Sequence, residues 1–130
     1  MQDAPQMVME TTQLVLPAQA NHYGTLFAGE GLSMMAGAAY AAASRHARGN
    51  VVLASVIEVR FIAPVPVGRL LILRAAIAQS SRSAIRVEVT GLCEDPQTGL
   101  VTEVAQGQFN MVAVNDRGRP RKINAEEIPS

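Results

Sequence analysis

Only one stretch of this chain is suited to a long helix, and everything else must be arranged around it. After Gly29 the sequence runs Glu30-Gly31-Leu32-Ser33-Met34-Met35-Ala36-Gly37 and then through an alanine-rich run to His46, with no proline. Alanine is the strongest helix former. Glu30 lies in the first turn, where an acid suits the helix dipole, and Arg45, His46 and Arg48 lie near the other end, where cations do. Gly49 is placed to cap that end. Glycine and alanine leave the helix thin, which suits close packing inside a curved sheet.

After Gly49 the pattern is that of strands. Val51 to Phe61 ends in alternation, Ile57, Val59 and Phe61 against Glu58 and Arg60, before Pro64, Pro66 and Gly68 break the run. Leu70 to Ala78 is mostly apolar on both faces, as expected of a strand covered on two sides. Ser83 to Thr90 and Thr102 to Val114 alternate, with a turn composition at Glu94 to Gly99 between them. An earlier strand is expected over Thr11 to Leu16, stopped by Pro17. The predicted class is α+β: one long central helix wrapped by a roughly five-stranded antiparallel sheet. The 130 residues make one domain, with a core over about 11–114 and a polar, loose tail at 115–130.

Composition narrows the function. The chain is 48% hydrophobic and 17% charged, apolar for its size, so some apolar surface is expected between subunits. Net charge is zero with no long basic run, so neither nucleic acid nor a membrane surface is an expected partner. Met1 to Gln13 lacks a basic region followed by an apolar one, so no signal peptide is expected. Leu70 to Ala78 is too short to span a membrane and is interrupted by Arg74. A cytoplasmic location fits. Cys93 is the single cysteine, so no intrachain disulfide or cysteine metal site is expected, and it reads as a small buried hydrophobe rather than a catalytic thiol. No His, Asp or Glu pair has metal-ligand spacing, so no metal and no resident cofactor are expected.

The segment richest in chemistry is Leu16 to Ala36, where an Asn-His-Tyr-Gly loop leads through Thr25-Leu26-Phe27-Ala28-Gly29 into the helix. Backbone N–H groups at a helix start are unpaired and partly positive, so they can stabilise an anion or a developing oxyanion. Small residues at 28 and 29 let a ligand carbonyl approach. By itself such a loop-glycine-helix start is equally a structural device.

The pattern Asn21-x-x-Gly24-x-x-Phe27-x-Gly29 resembles the Asn-x-x-Gly-x-x-Phe-Gly-Gly signature of hot-dog-fold acyl-CoA thioesterases, in their acyl-CoA hydrolase branch. Ala42-Ala43-Ser44-Arg45-His46 is similar to that family's helix end, and Phe61-Ile62-Ala63-Pro64-Val65-Pro66-Val67-Gly68 to its strand-turn. Met111 to Val114 and Gly118-Arg119-Pro120-Arg121 are similar to its last strand and tail. The likeness runs from Leu14 to Arg121. It implies a hot-dog fold, protomers joined edge to edge as dimers and often assembled into tetramers or hexamers. It implies composite sites that cleave acyl-CoA to a free acid and CoA, with coenzyme A entering as part of the substrate. Asn21 would work with a helix carboxylate of the other subunit, and the N–H at Gly29 would polarise the thioester carbonyl. His22, Ala28, Ala36 and Phe61 would surround the substrate. Arg82 with Ser83, and Arg117, Arg119, Arg121 and Lys122, would meet the CoA phosphates, or else be ordinary solvated charge.

This chain departs from the signature at two places. The family acid falls seven residues after the second glycine, which here is Ala36, and alanine can neither take a proton nor attack a carbonyl. Ala28 replaces a glycine. Glu30 is the only carboxylate of the helix and reads either as a relocated catalytic acid or as a dipole-compensating one. His22 reads as a base near neutral pH or as a tolerated loop residue, and His46 as a capping or packing residue. Two functions follow: an acyl-CoA thioesterase using Asn21, Gly29 and Glu30, or a non-catalytic acyl-CoA binder. A hydratase is disfavoured, because Glu30 and His46 stand at opposite ends of the helix.

Overall fold

The computed structural model describes residues 6–123, with side chains from residue 9 onward. The alanine-rich stretch forms α1, Ala28–Ala47. Around it lie β1 (Gln6–Leu14), β2 (Val51–Phe61), β3 (Leu70–Ser80), β4 (Ala84–Glu94) and β5 (Val101–Ala113), all paired antiparallel in one sheet. The strand order is β1-β3-β4-β5-β2. Strands consecutive in sequence are therefore not all neighbours. The segment after β2 crosses from one edge of the sheet to the other side of β4, and β1 and β2 become the edges.

α1 buries one face, carrying Gly31, Met35, Ala38, Ala39, Ala42, Ala43 and Ala47, the three-and-four spacing of an amphipathic helix. The sheet meets it with the inward half of each alternation: Leu71, Leu73 and Ala75; Ile85, Val87, Val89 and Cys93; Ala105, Phe109, Met111 and Ala113. Burying each large apolar side chain contributes about 1.5–3 kcal/mol, and Phe109, fully buried, is the largest of them. The helix approaches so closely that a Cβ at Gly107 would stand 2.9 Å from Val59 and 3.3 Å from the Met35 methyl. Small residues on both sides make the wrap possible.

Several expectations need correction. The first strand ends at Leu14, and Pro17–Gln19 form a single 3-10 turn that the proline nucleates. The helix begins two residues earlier, at Ala28, and is capped by Arg48 in the left-handed conformation (φ 59°), with its N–H on the Ser44 carbonyl, rather than by Gly49. β4 continues to Glu94, because its period-2 pattern persists through Gly91 and Cys93. Within the protomer β3 is covered on one side only. Ile72 is buried on its outer face, but Arg74 and Ala78 on that face are exposed. The tail is not loose as far as Ile123: Asn115 organises a turn by accepting from the N–H groups of Arg117 and Arg119, Val114 bridges Pro120, and Ile123 is buried with its N–H on the Arg82 carbonyl. Residues 124–130 of the expected tail, and residues 1–5 of the segment read as lacking a signal peptide, lie outside the described residues.

Among the described residues no helix is long and apolar enough to cross a membrane, and no three His, Cys, Asp or Glu side chains are grouped to hold a metal ion.

Candidate active site at the start of the helix

The loop before α1 is built by Asn21. Its Oδ1 accepts from the backbone N–H groups of Tyr23 (2.9 Å) and Thr25 (3.2 Å), and its Nδ2 donates to Thr25 Oγ1 (3.0 Å). Asparagine is suited to this, since its short side chain mimics a turn of backbone. Gly24, at φ 80°, completes the turn without a Cβ penalty. The loop is then pinned to the segment after β2: Leu26 N–H donates to Val65 O, Val67 N–H to Gly24 O, and Thr25 bridges Pro66. The phenylalanine-to-glycine run entering α1 is thus held between two fixed supports.

No side chain caps the helix N-terminus, and its residue at the cap is Phe27. The N–H groups of Ala28, Gly29 and Glu30 precede the first intrahelical bond, from Gly31 N–H to Phe27 O, and so have no partner within the helix. All three residues are exposed. The Phe27 ring lies across Gly29, where a Cβ would stand 2.6 Å from its edge. That residue must be glycine for the ring to rest there.

Behind this helix start is a cavity of about 200 Å³ between α1, β3, β5 and the turn after β2. Ala28, Gly31 and Met35 line it from the helix, Thr25 and Leu26 from the loop, and Phe61 to Val65 from the turn. Thr25 is the only lining residue with a polar side chain. An apolar pocket beside unpaired backbone donors can hold a hydrocarbon chain and polarise a carbonyl at its mouth.

Of the residues singled out in the sequence, Ala28 and Phe61 line the cavity, Gly29 lies at the helix start above it, and Asn21 reaches it through Thr25. Ala36 and Glu30 are not among its lining residues. Glu30 is exposed, and Ala36 is half-buried against the core. His22 is exposed and packs on Tyr23, ring centroids 4.1 Å apart. Met35 lines the cavity, but Met34 faces a separate groove with Met9, Thr11 and Gln13. Thr25, Gly31 and Val65 were missed. A glycine breaking an alanine-rich helix was the available signal for Gly31, while Thr25 and Val65 arrive only through tertiary pairing.

Arg82, Ser83, Arg119 and Arg121 stand at the other end of the molecule. A helix of 20 residues is about 30 Å long, and Arg121 is fastened to its far end. The guanidinium donates to Ala47 O (2.9 Å) and Val114 O (3.1 Å). Ser83 contributes its carbonyl to Ala113 N–H. Cys93 is buried; burial pushes its thiol pKa up, against the pull of nearby Arg69, which is itself paired with Asp95 at 3.6 Å. His46 bonds Ser80 Oγ at 3.0 Å, and burial lowers its pKa.

This geometry has counterparts. The family model described as thioesterase superfamily matches residues 23–100. The chain is 35% identical over 107 residues to protein VdlD of Helicobacter pylori, covering 82% of this chain; it spans 61% of the length of that relative. It is 31% identical over 110 residues to the uncharacterized acyl-CoA thioester hydrolase ZMO0511 of Zymomonas mobilis, covering 85% of this chain and 74% of the other. Its structure is similar to that of HI0827, a hexameric broad specificity acyl-coenzyme A thioesterase crystallised as an aspartate-to-alanine mutant. There the TM-score is 0.87 at 28% identity, over 95% of this chain and 90% of that one. One helix wrapped by five antiparallel strands, with these matches, identifies the fold as a hot-dog and the chain as a member of the thioesterase superfamily.

Proposed function

We propose that this protein hydrolyses the thioester of an acyl-CoA to a free acid and coenzyme A. The observation that carries this is the uncapped start of α1, with exposed N–H groups at Ala28 to Glu30, directly beside an apolar cavity. The acyl chain enters the cavity and the carbonyl oxygen faces the helix start. Water adds to the carbonyl carbon, and the oxygen takes up negative charge against N–H donors fixed before the reaction begins. The carbon–sulfur bond then breaks, the carbonyl reforms, and the sulfur takes the proton that the water gives up. Asn21 holds the donor loop in shape, and Glu30, the one carboxylate of the helix, is the base for the water.

Self-association is part of this reading. Edge strand β2 and the turn after it expose Val52, Leu53, Val56, Phe61 and Ile62, each 42–55% accessible. An unpaired apolar edge of 11 residues invites a second strand, and HI0827 is described as hexameric. A dimer with antiparallel helices also answers a problem of reach. Arg45, Arg48, Arg82, Arg117, Arg119, Arg121 and Lys122, seven of the 11 lysines and arginines, gather at the C-terminal pole. That pole is about 30 Å from the thioester site of the same protomer, farther than the pantetheine arm extends. The phosphates of a CoA bound at one helix start are therefore held by the basic pole of the partner, Arg82 and Arg119 leading. With a lone cysteine and no disulfide to protect, the cytoplasm is the fitting compartment.

A second reading has its own observation. No lining residue of the cavity carries a carboxylate or imidazole, and Ala36 supplies none, so the fold also suits an acyl-CoA binder without turnover. A panel of acyl-CoA esters with a thiol reagent separates the two. CoA release proportional to protein, reduced about 10²–10⁴-fold by Glu30→Gln, supports the hydrolase. Binding without release, with activity appearing in Ala36→Asp, supports the binder and overturns the hydrolase.

A further inference from the structure

We propose that the acyl group this protein accepts is a chain of about six to eight carbons without polar substituents, and that Gly31 is the residue that admits it. The proposal rests on the reading of the cavity as the acyl site.

Size sets the upper limit. The cavity measures about 200 Å³, and an apolar cavity of about 150 Å³ accepts benzene, a six-carbon molecule. Its deep walls are closed: Met35 and Leu73 are 1% exposed, Val104 2% and Leu71 3%. A longer chain finds no continuation there. Polarity sets the kind of chain. Thr25 alone among the lining residues offers a polar side chain, so a hydroxyl or carboxyl carried inward would lose water without gaining a partner.

The throat is Gly31. The helix positions that line the cavity are Ala28, Gly31 and Met35, one face of α1 running inward from the helix start. A Cβ at position 31 would stand 3.2 Å from the Phe61 ring and 3.3 Å from Leu26 Cδ2. Glycine is disfavoured within helices relative to alanine, and this one has no positive φ to justify it. Its use is to let the Phe61 ring and Leu26, both lining the cavity, close against the helix. A methyl group there displaces these two walls and reshapes the passage between the carbonyl site and the cavity floor, and a short acyl group that never passes the throat is affected less than a longer one.

The test measures kcat/KM for acetyl-, butyryl-, hexanoyl-, octanoyl-, lauroyl- and palmitoyl-CoA with the wild type and Gly31→Ala, and calorimetric binding of the non-hydrolysable thioethers S-ethyl-CoA and S-octyl-CoA to both. The expected profile peaks at hexanoyl to octanoyl. In Gly31→Ala the octanoyl-to-acetyl ratio falls about tenfold, the lower end of what one methylene changes in a hydrophobic pocket. A ratio within one preparation is independent of the fraction folded. An optimum at acetyl or palmitoyl, or a ratio unmoved by the substitution, overturns the proposal. If no ester is cleaved but S-octyl-CoA outbinds S-ethyl-CoA and Gly31→Ala abolishes that preference, the hydrolase reading falls and the acyl assignment stands. If neither thioether binds, both fall.

Discussion

Arg121 offers the sharpest check on how the two ends of the molecule divide their work. Its guanidinium joins the helix terminus at Ala47 O to Val114 O, the residue after β5, and it is half-buried there. Replacing it with alanine removes two hydrogen bonds from a charged donor and one cation at a helix C-terminus. At the low end for a partly exposed charged group, the loss is about 2 kcal/mol. Gly49 supplies the control, because a Cβ there would stand 2.6 Å from Arg121 Nη2. The neighbour is the tip of a flexible side chain, so the cost of Gly49→Ala is capped by the bonds that Arg121 gives up, about 1–2 kcal/mol. Without Arg121 the clash is gone. Since Gly49 has no positive φ, alanine should then stabilise by about 0.4–1 kcal/mol through the unfolded chain. The substitution changes sign between backgrounds, and the cycle has a coupling energy of about 2 kcal/mol. Urea unfolding of the four proteins by circular dichroism, at one fixed protomer concentration, measures it. Equal costs of Gly49→Ala on both backgrounds, or an Arg121→Ala that leaves stability intact while weakening CoA binding, would refute the strap and return Arg121 to the phosphates.

Two further outcomes concern the titratable groups. Burial lowers the pKa of His46 in the folded state, so below about 6.5 the unfolded chain binds a proton that the folded one resists. Stability that His46 contributes is complete above that pH and declines as the pH falls toward the folded pKa; His46→Gln should flatten this part of the stability–pH curve, and an unchanged slope would show that other groups set it. Cys93, buried with a raised pKa, should resist a thiol reagent at pH 8 in the native state and react fully in urea, whereas fast native labelling would contradict its burial.

The alternations of β4 and β5 and the small-residue helix were legible because each is a local matter, whereas that of β2 was not realised: Ile57 and Val59 are half-buried, Phe61 is exposed, and Glu58, at φ 51°, breaks the register between Ile57 and Arg60. Period 2 needs one buried face, and an alanine-rich run needs only its own propensity. Gly29 and Asn21 were legible as a loop entering a helix. Arg121 was not legible as a helix cap, because the helix terminus it bonds, 74 residues earlier in the chain, is brought beside it only by the fold. Gly49 looked like a cap because glycine usually is one, yet the cap is Arg48, and the glycine is needed for the guanidinium to pass.

What the amino-acid order determined by itself is the inventory: one helix thin enough to be wrapped, strands with one apolar face, a single carboxylate on that helix, and a cluster of cations near the end. Tertiary structure alone decided the strand order that makes β2 an edge, the pairing of Thr25 and Leu26 with Val65 and Pro66, and the cavity that opens behind Gly31. Local patterns depend on neighbours a few residues away and can be read along the chain. A cavity is the space left when segments distant in the chain pack against one another, and no local pattern encodes what is left over.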